Sequence, residues 1–278
     1  MRFIITIENT DVQTVPINYQ YPVSAWIYKI FSRADKHFTE WLHDRGYKFT
    51  GTGKFNLFTF SGIQFQGANF KNEPSPSLVV PAGKHQFQVS FVLEEEATVF
   101  ISALFMNQEL YINSKEFRST FLVTSVKHKP KPRFEKVSAF SALSPVVLSQ
   151  PREDASGKTV AQYLSPDKEE YSKLLHENTL LRYLESPAGK TTDQEGRAKP
   201  FVRYSELPFD PDYWKLTIHG TPKAKLQTIK AGTPNQTRIK GYLFDFELSA
   251  PPALLEFIYD AGIGEKGSLG FGFTEKIN

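Results

Sequence analysis

The order of strand-like and helix-like segments runs twice along the chain, and this repetition restricts the fold more than any other feature of the sequence. In the first half, Arg2–Glu8 is a β-branched apolar run. Ser24–Arg33 follows with helical spacing, Trp26, Ile27, Ile30 and Phe31 falling on one face. Phe55–Phe65 and residues 78–93 are rich in strand formers, with turns expected at Gly62 and at Ala82-Gly83. Glu94, Glu95 and Glu96 then open a helix to about Asn107, where they complement the positive end of its dipole, and residues 119–127 read as strand. The second half begins with a strand inside residues 136–149, followed by a strong helix over Asp167–Glu185. Strands follow at 215–230 and 237–249, then a helix opened by Pro251 and Pro252 and reaching Ala261, then a last strand at Phe271–Ile277. Gln86–Gln108 and Tyr242–Gly262 share one plan: alternating strand, short break, amphipathic helix. Two β-α-β-β-α-β units explain this economically, an α+β fold of tandem ferredoxin-like domains. The 278 residues suit two domains of ordinary size, 1–133 and 134–278, divided at Lys129-Pro-Lys-Pro-Arg133. Ser186–Pro200 is polar and aperiodic and reads as a mobile surface loop.

Composition removes several chemistries. The chain has no cysteine, which excludes disulfide frameworks, thiolate metal sites and thiol nucleophiles. Its six histidines (His37, His43, His85, His128, His176 and His219) show neither HxH nor HExxH spacing, so no metal site is expected. The first residues read as a strand rather than a signal peptide, and no apolar run approaches the roughly 18 residues of a spanning helix. The expected location is the cytoplasm, with no membrane partner.

A net charge of +3 says little until it is divided along the chain. No acid occurs between Asp212 and Asp245, an interval that holds Lys215, Lys223, Lys225, Lys230, Arg238 and Lys240. A second acid-free strip between Glu116 and Glu135 holds Arg118, Lys127, Lys129, Lys131 and Arg133, beside Phe117, Phe121 and Phe134. Either strip alone is equally a lysine-protected strand edge. Together, one per repeat, they favour a groove for a polyanion backbone, with the phenylalanines either stacking on bases or packing in the core.

Five of the seventeen glycines fall in one stretch: Gly262, Gly264, Gly267, Gly270 and Gly272. Residues 262–267 spell GxGxxG, but a helix precedes and a strand follows, which is the reverse of a dinucleotide-binding unit. Two readings remain. The loop amides, with Lys266, meet an anion, or the glycines allow a close backbone approach without any ligand.

The ending GIGEKGSLGFGF resembles the C-terminal glycine-rich motif of the RAMP superfamily, and more narrowly the CRISPR-associated endoribonucleases that process repeat RNA, the Cas-six family. The MRF-type first strand, the Tyr-Gln-Tyr-Pro approach to a helix, Trp26–Phe31, Trp41-Leu-His43 and Leu143-Ser-Pro-Val-Val147 resemble that family too, so the likeness spans essentially the whole chain. The resemblance implies metal-independent cleavage of precursor CRISPR RNA inside each repeat, with no cofactor. It implies products ending in a 2′,3′-cyclic phosphate and a 5′-hydroxyl. Repeat RNA is the implied partner, with room for other CRISPR effector subunits and for a homodimer.

Such cleavage needs a base for the 2′-hydroxyl, an acid for the leaving 5′-oxygen and a cation for the developing phosphorane charge. By resemblance, Tyr28 and His43 match the family's catalytic tyrosine and histidine. The lysine is Lys54 or, as second choice, Lys48. His43 is suited to either proton-transfer role. Fifteen residues of continuous helix would separate Tyr28 from His43 by about 22 Å, so a break at Ala34-Asp35 is needed to bring them together. The expected RNA contacts are Lys223, Lys225, Lys230, Arg238 and Lys240, with Lys266 and Ser268 from the glycine loop. A non-catalytic RNA-binding subunit is the alternative reading.

Overall fold

The computed structural model describes residues 1–32, 58–73, 75–93, 97–192, 198–200 and 207–277. The first half contains β1 (Arg2–Asn9), β2 (Gln13–Pro16), α1 (Gln20–Ser32), β3 (Phe58–Phe60), β4 (Asn69–Lys71), β5 (Ser77–Val80), β6 (Gly83–Phe91), α2 (Thr98–Phe105), β7 (Glu109–Asn113) and β8 (Arg118–Lys129). The second contains β9 (Val137–Ala142), β10 (Ser149–Glu153), β11 (Thr159–Tyr163), α3 (Tyr171–Glu185), β12 (Lys190–Thr192), β13 (Ala198–Pro200), β14 (Lys215–Ile229), β15 (Thr237–Ser249), α4 (Pro252–Ala261) and β16 (Thr274–Ile277).

The result is a mixed α+β fold with several antiparallel sheets. The two principal sheets run β3-β6-β1-β8-β7 and β14-β15-β9-β16. In each, the strand that opens the half lies between its third and last partners, and a helix follows both the opening strand and the third. Alternation along β1 sends Phe3, Ile5 and Ile7 into a core with Ile27, Phe31, Ile101 and Phe105. A separate core in the second half gathers Phe140, Phe246 and Leu248 with Leu175, Leu254 and Ile258.

Several sequence expectations are corrected. Helix α1 begins at Gln20 rather than Ser24, because Pro22 is tolerated in a first turn that needs no intrahelical N–H. The strands expected on either side of Ala82-Gly83 form as β5 and β6 but join different sheets: β5 pairs with β2 and β4, whereas β6 pairs with β1 and β3. The strand expected to end at Ser144–Ser149 stops at Ala142, and Val146 makes only an isolated bridge to Tyr242. The last strand begins at Thr274, not Phe271. The stretch read as a surface loop carries the paired strands β12 and β13. Phe121 and Phe134 are buried in the two cores and cannot stack on bases. The acids Glu94–Glu96 and the break expected at Ala34-Asp35 lie outside the described residues.

The halves meet around Arg2. Its side chain is fully buried, donating from Nε to the Tyr259 carbonyl at 3.0 Å and from Nη1 to Glu275 at 3.3 Å. Its guanidinium carbon lies 3.3 Å from the Tyr259 ring centre and 4.2 Å from that of Phe273. Burial lowers its pKa to about 10, which leaves it charged at neutral pH. Lys129 joins Glu275 at 2.7 Å and Lys131 joins Asp260 at 2.6 Å. Part of the second basic strip is therefore a seam between the halves rather than a free polyanion surface.

Two stability outcomes follow. Truncating a buried, hydrogen-bonded cation leaves its partners unmatched, so Arg2→Met should lose about 3 kcal/mol or more in urea denaturation. A loss below about 1 kcal/mol would show that the seam holds without it. His85, buried in the first core, accepts from the Gln66 N–H at its Nδ1 (3.0 Å), and its Nε2 lies 2.9 Å from Asn9 Oδ1. Burial lowers its pKa below the ordinary 6.5, so its stabilising contribution is present above about pH 6.5 and fades as pH falls. Melting temperature should drop on acidification below that value, and His85→Gln should shrink the drop; an unchanged acid slope in the variant would remove His85 from the linkage.

Candidate functional site

The glycine-rich stretch runs from the end of α4 to β16, with a 3-10 turn at Gly267–Leu269. It lies against the first half rather than in solvent. Thr59 Oγ1 on β3 donates to the Phe271 carbonyl at 2.8 Å, and Ser24 Oγ on α1 donates to the Ser268 carbonyl at 2.6 Å. The glycines allow this approach. A Cβ on Gly270 (φ +83°) would lie 2.5 Å from the Phe60 ring and one on Gly262 (φ +75°) 2.9 Å from the Thr59 side chain, while within the second half one on Gly264 (φ +76°) would lie 2.4 Å from the Val147 carbonyl oxygen. Of the two readings of this stretch, close packing is what the geometry displays.

Tyr28 stands at the edge of the contact. Its ring packs edge-on to Phe58 at 5.2 Å between centres. Burial raises its pKa above the ordinary 10.0, and the Ser268 side chain beside it pulls the other way. The phenol is therefore neutral at physiological pH and serves as a proton-bearing, hydrogen-bonding group rather than as a phenolate base. Lys266, with left-handed backbone (φ 61°), keeps a partly exposed ammonium 3.8 Å from Glu265. Glu265 in turn accepts from the Ser149 N–H at 2.7 Å and from its hydroxyl at 2.8 Å. The structure thus joins three of the expected site residues, Tyr28, Lys266 and Ser268, with the five glycines. His43, Lys54 and Lys48 lie outside the described residues.

The basic residues of the second half lie on a long hairpin. β14 pairs with β15 as far as Ile229↔Thr237, while β9 covers only Asp245–Ser249 of β15, so the far end projects beyond the sheet. Lys223, Lys225, Lys230, Arg238 and Lys240 are all exposed there. The register divides them: Lys225 stands opposite Gly241, whereas Arg238 and Lys240 stand opposite Thr228 and Leu226. Lys223 and Lys225 therefore project from one face of the hairpin, and Arg238 and Lys240 from the other. At the basal end of the same sheet exposed Asp245 and Glu247 accompany exposed Lys215, so the cationic surface without acids is the far end. Sequence reasoning missed Ser24, Thr59 and Arg182; each is locally an ordinary polar residue on an apolar element, and only contacts more than 70 residues away give it a role.

The chain's architecture and motifs match two family models, CRISPR associated protein Cas6, C-terminal, over residues 127–276 and CRISPR-associated protein Cas6, N-terminal, over residues 14–127. These matches define a class of CRISPR-associated proteins built from an N-terminal and a C-terminal part. The chain belongs to the Cas6 family. It is 24% identical over 277 residues to CRISPR-associated endoribonuclease Cas6 1 of Methanocaldococcus jannaschii, covering 100% of this chain and 93% of that protein. It is 23% identical over 287 residues to CRISPR-associated endoribonuclease Cas6 of Pyrococcus furiosus, covering 99% and 89%. Among solved structures, a Cas6-related protein from Pyrococcus furiosus superposes with a TM-score of 0.74 at 22% identity over 100% of this chain and 98% of that one. A RAMP protein described as binding different RNA substrates superposes with a TM-score of 0.73 at 21% identity over 100% of both chains.

If the glycines serve close packing, Gly264→Ala should cost more than its backbone angle alone. Gly157 has the same φ of +76° with nothing within 4 Å of an added Cβ, and so isolates the angular cost. Gly157→Ala should lose about 1 kcal/mol and Gly264→Ala about 3 kcal/mol in urea denaturation. Equal losses would remove the packing role.

Proposed function

We propose that the chain is a metal-independent endoribonuclease that cuts precursor CRISPR RNA within its repeats. The observation that carries this reading is the docking of the glycine loop onto the helix of Tyr28, where Ser24 Oγ donates to the Ser268 carbonyl at 2.6 Å, in a chain of the Cas6 family. It is supported by full-length relatives named as CRISPR-associated endoribonucleases. A base removes the 2′-hydroxyl proton, the 2′-oxygen attacks the adjacent phosphorus, the bond to the 5′-oxygen breaks, and an acid protonates that leaving oxygen. The products are a 2′,3′-cyclic phosphate and a 5′-hydroxyl. His43 takes one of the two proton-transfer roles. Neutral Tyr28 orients the reacting groups by hydrogen bonding, and Lys54, or Lys48 in its place, stabilises the phosphorane charge. No cofactor takes part.

We read the two halves as ferredoxin-like units, 1–133 and 134–278, acting in the cytoplasm on repeat RNA. The RNA backbone lies along the projecting hairpin, with Lys223, Lys225, Lys230, Arg238 and Lys240, and approaches the site past Lys266 and Ser268.

Repeat RNA incubated with the protein in EDTA should be cut, and His43→Ala should lose about 100-fold or more in single-turnover rate. An undiminished His43→Ala rate would remove that residue from the mechanism, and a requirement for added Mg²⁺ would remove the mechanism. Lys223→Ala with Lys225→Ala should weaken binding and lower the salt slope by about 2. Unchanged affinity would place the RNA elsewhere.

A further inference from the structure

We propose that Arg182, on α3, is a positioning residue for the Tyr28–Ser268 site, an inference that rests on the nuclease reading above. Its guanidinium is not paired with a carboxylate among the described residues. It donates instead to three backbone carbonyls where α4 becomes the glycine loop. Nη2 reaches Ala261 at 2.7 Å, and Nη1 reaches Gly262 at 3.0 Å and Gly264 at 2.9 Å. Loss of hydration lowers its pKa to about 10, so it remains a cation at neutral pH. Helix C-termini leave carbonyls without intrahelical partners and carry negative partial charge, so a cation is favoured there. Carbonyls spread over four residues require the guanidinium's rigid fork, which a lysine ammonium lacks.

Capping alone does not explain why the grip extends to Gly264. Beyond that residue the path to the site is stiff. The Glu265 N–H bonds to the Val147 carbonyl at 2.8 Å. The 3-10 turn then closes through Leu269 N–H to Lys266 at 2.9 Å and Gly270 N–H to Gly267 at 2.8 Å. Ser268 sits inside that turn, its carbonyl bonded to Ser24 on the helix that carries Tyr28. A shift at Gly264 is therefore passed to Ser268 with little slack, and Arg182 fixes where that path starts.

The test uses Arg182→Lys, Tyr28→Phe and their combination, each assayed well below its melting temperature. Single-turnover cleavage of repeat RNA is followed in EDTA, and affinity is measured for the same RNA bearing a 2′-deoxy substitution at the cut. Arg182→Lys should cut about tenfold or more slowly while binding within about threefold of wild type. Its effect should largely vanish in the Tyr28→Phe background, because both changes act through one contact. Full additivity, or a wild-type rate in folded Arg182→Lys, would overturn the proposal.

A wild type that does not cut would overturn the nuclease reading instead. The positioning claim is then decided by the ¹⁹F resonance of 3-fluorotyrosine placed at position 28. Arg182→Lys should move it, and an unmoved resonance would overturn the proposal.

Discussion

The C-terminal end of α4 is held by two arginines, one from each half, and the rest of the molecule is arranged around that grip. Arg2, from the first strand of the first half, donates to the Tyr259 carbonyl. Arg182, from a helix of the second half, donates to the carbonyls of Ala261, Gly262 and Gly264. A helix end has orphan acceptors and negative partial charge, so it offers two cations what they lose in hydration. Because one cation belongs to each half, the same few carbonyls join the halves and define where the glycine loop begins. The ion pairs of Lys129 with Glu275 and Lys131 with Asp260 extend the joint on either side of Arg2.

From that joint the loop has one way to run. It crosses the first half along β3 and α1 and packs by backbone, at spacings a side chain would occupy. The glycines are thus a packing device, and the chemistry is displaced onto the residues between them. Ser268 lies beside Tyr28, and Lys266, two residues earlier in the loop, presents a partly exposed ammonium tethered to Glu265. A neutral phenol, a hydroxyl and a cation at the junction of two halves suit hydrogen bonding to a phosphodiester more than covalent attack on one.

Much of this was legible in the sequence where elements are long and strongly patterned. The basic strands β14 and β15, helix α3, and the proline-opened α4 all lie close to where periodicity placed them. The short strands β2, β7, β10 and β11 escaped, because four or five residues carry too little periodic signal. The turn at Ala82-Gly83 was legible, but turn chemistry does not show which strands pair afterwards: β5 and β6 join different sheets. Charge was legible as composition but not as partnership. Lys129 and Lys131 read as a phosphate-binding strip, yet their partners Glu275 and Asp260 are more than 120 residues away. Tyr28 was found through its motif. The Ser24–Ser268 bond that brings its helix to the glycine loop joins positions 244 residues apart, and no local pattern encodes it.

The most direct test of the account replaces a single ribose. The cut is first mapped on all-ribose repeat RNA in EDTA, and the nucleotide on its 5′ side is then made 2′-deoxy. If the substrate's own hydroxyl is the nucleophile, the modified RNA should bind with ordinary affinity and yield no product at that position. Cleavage at the same bond without that hydroxyl would contradict the account.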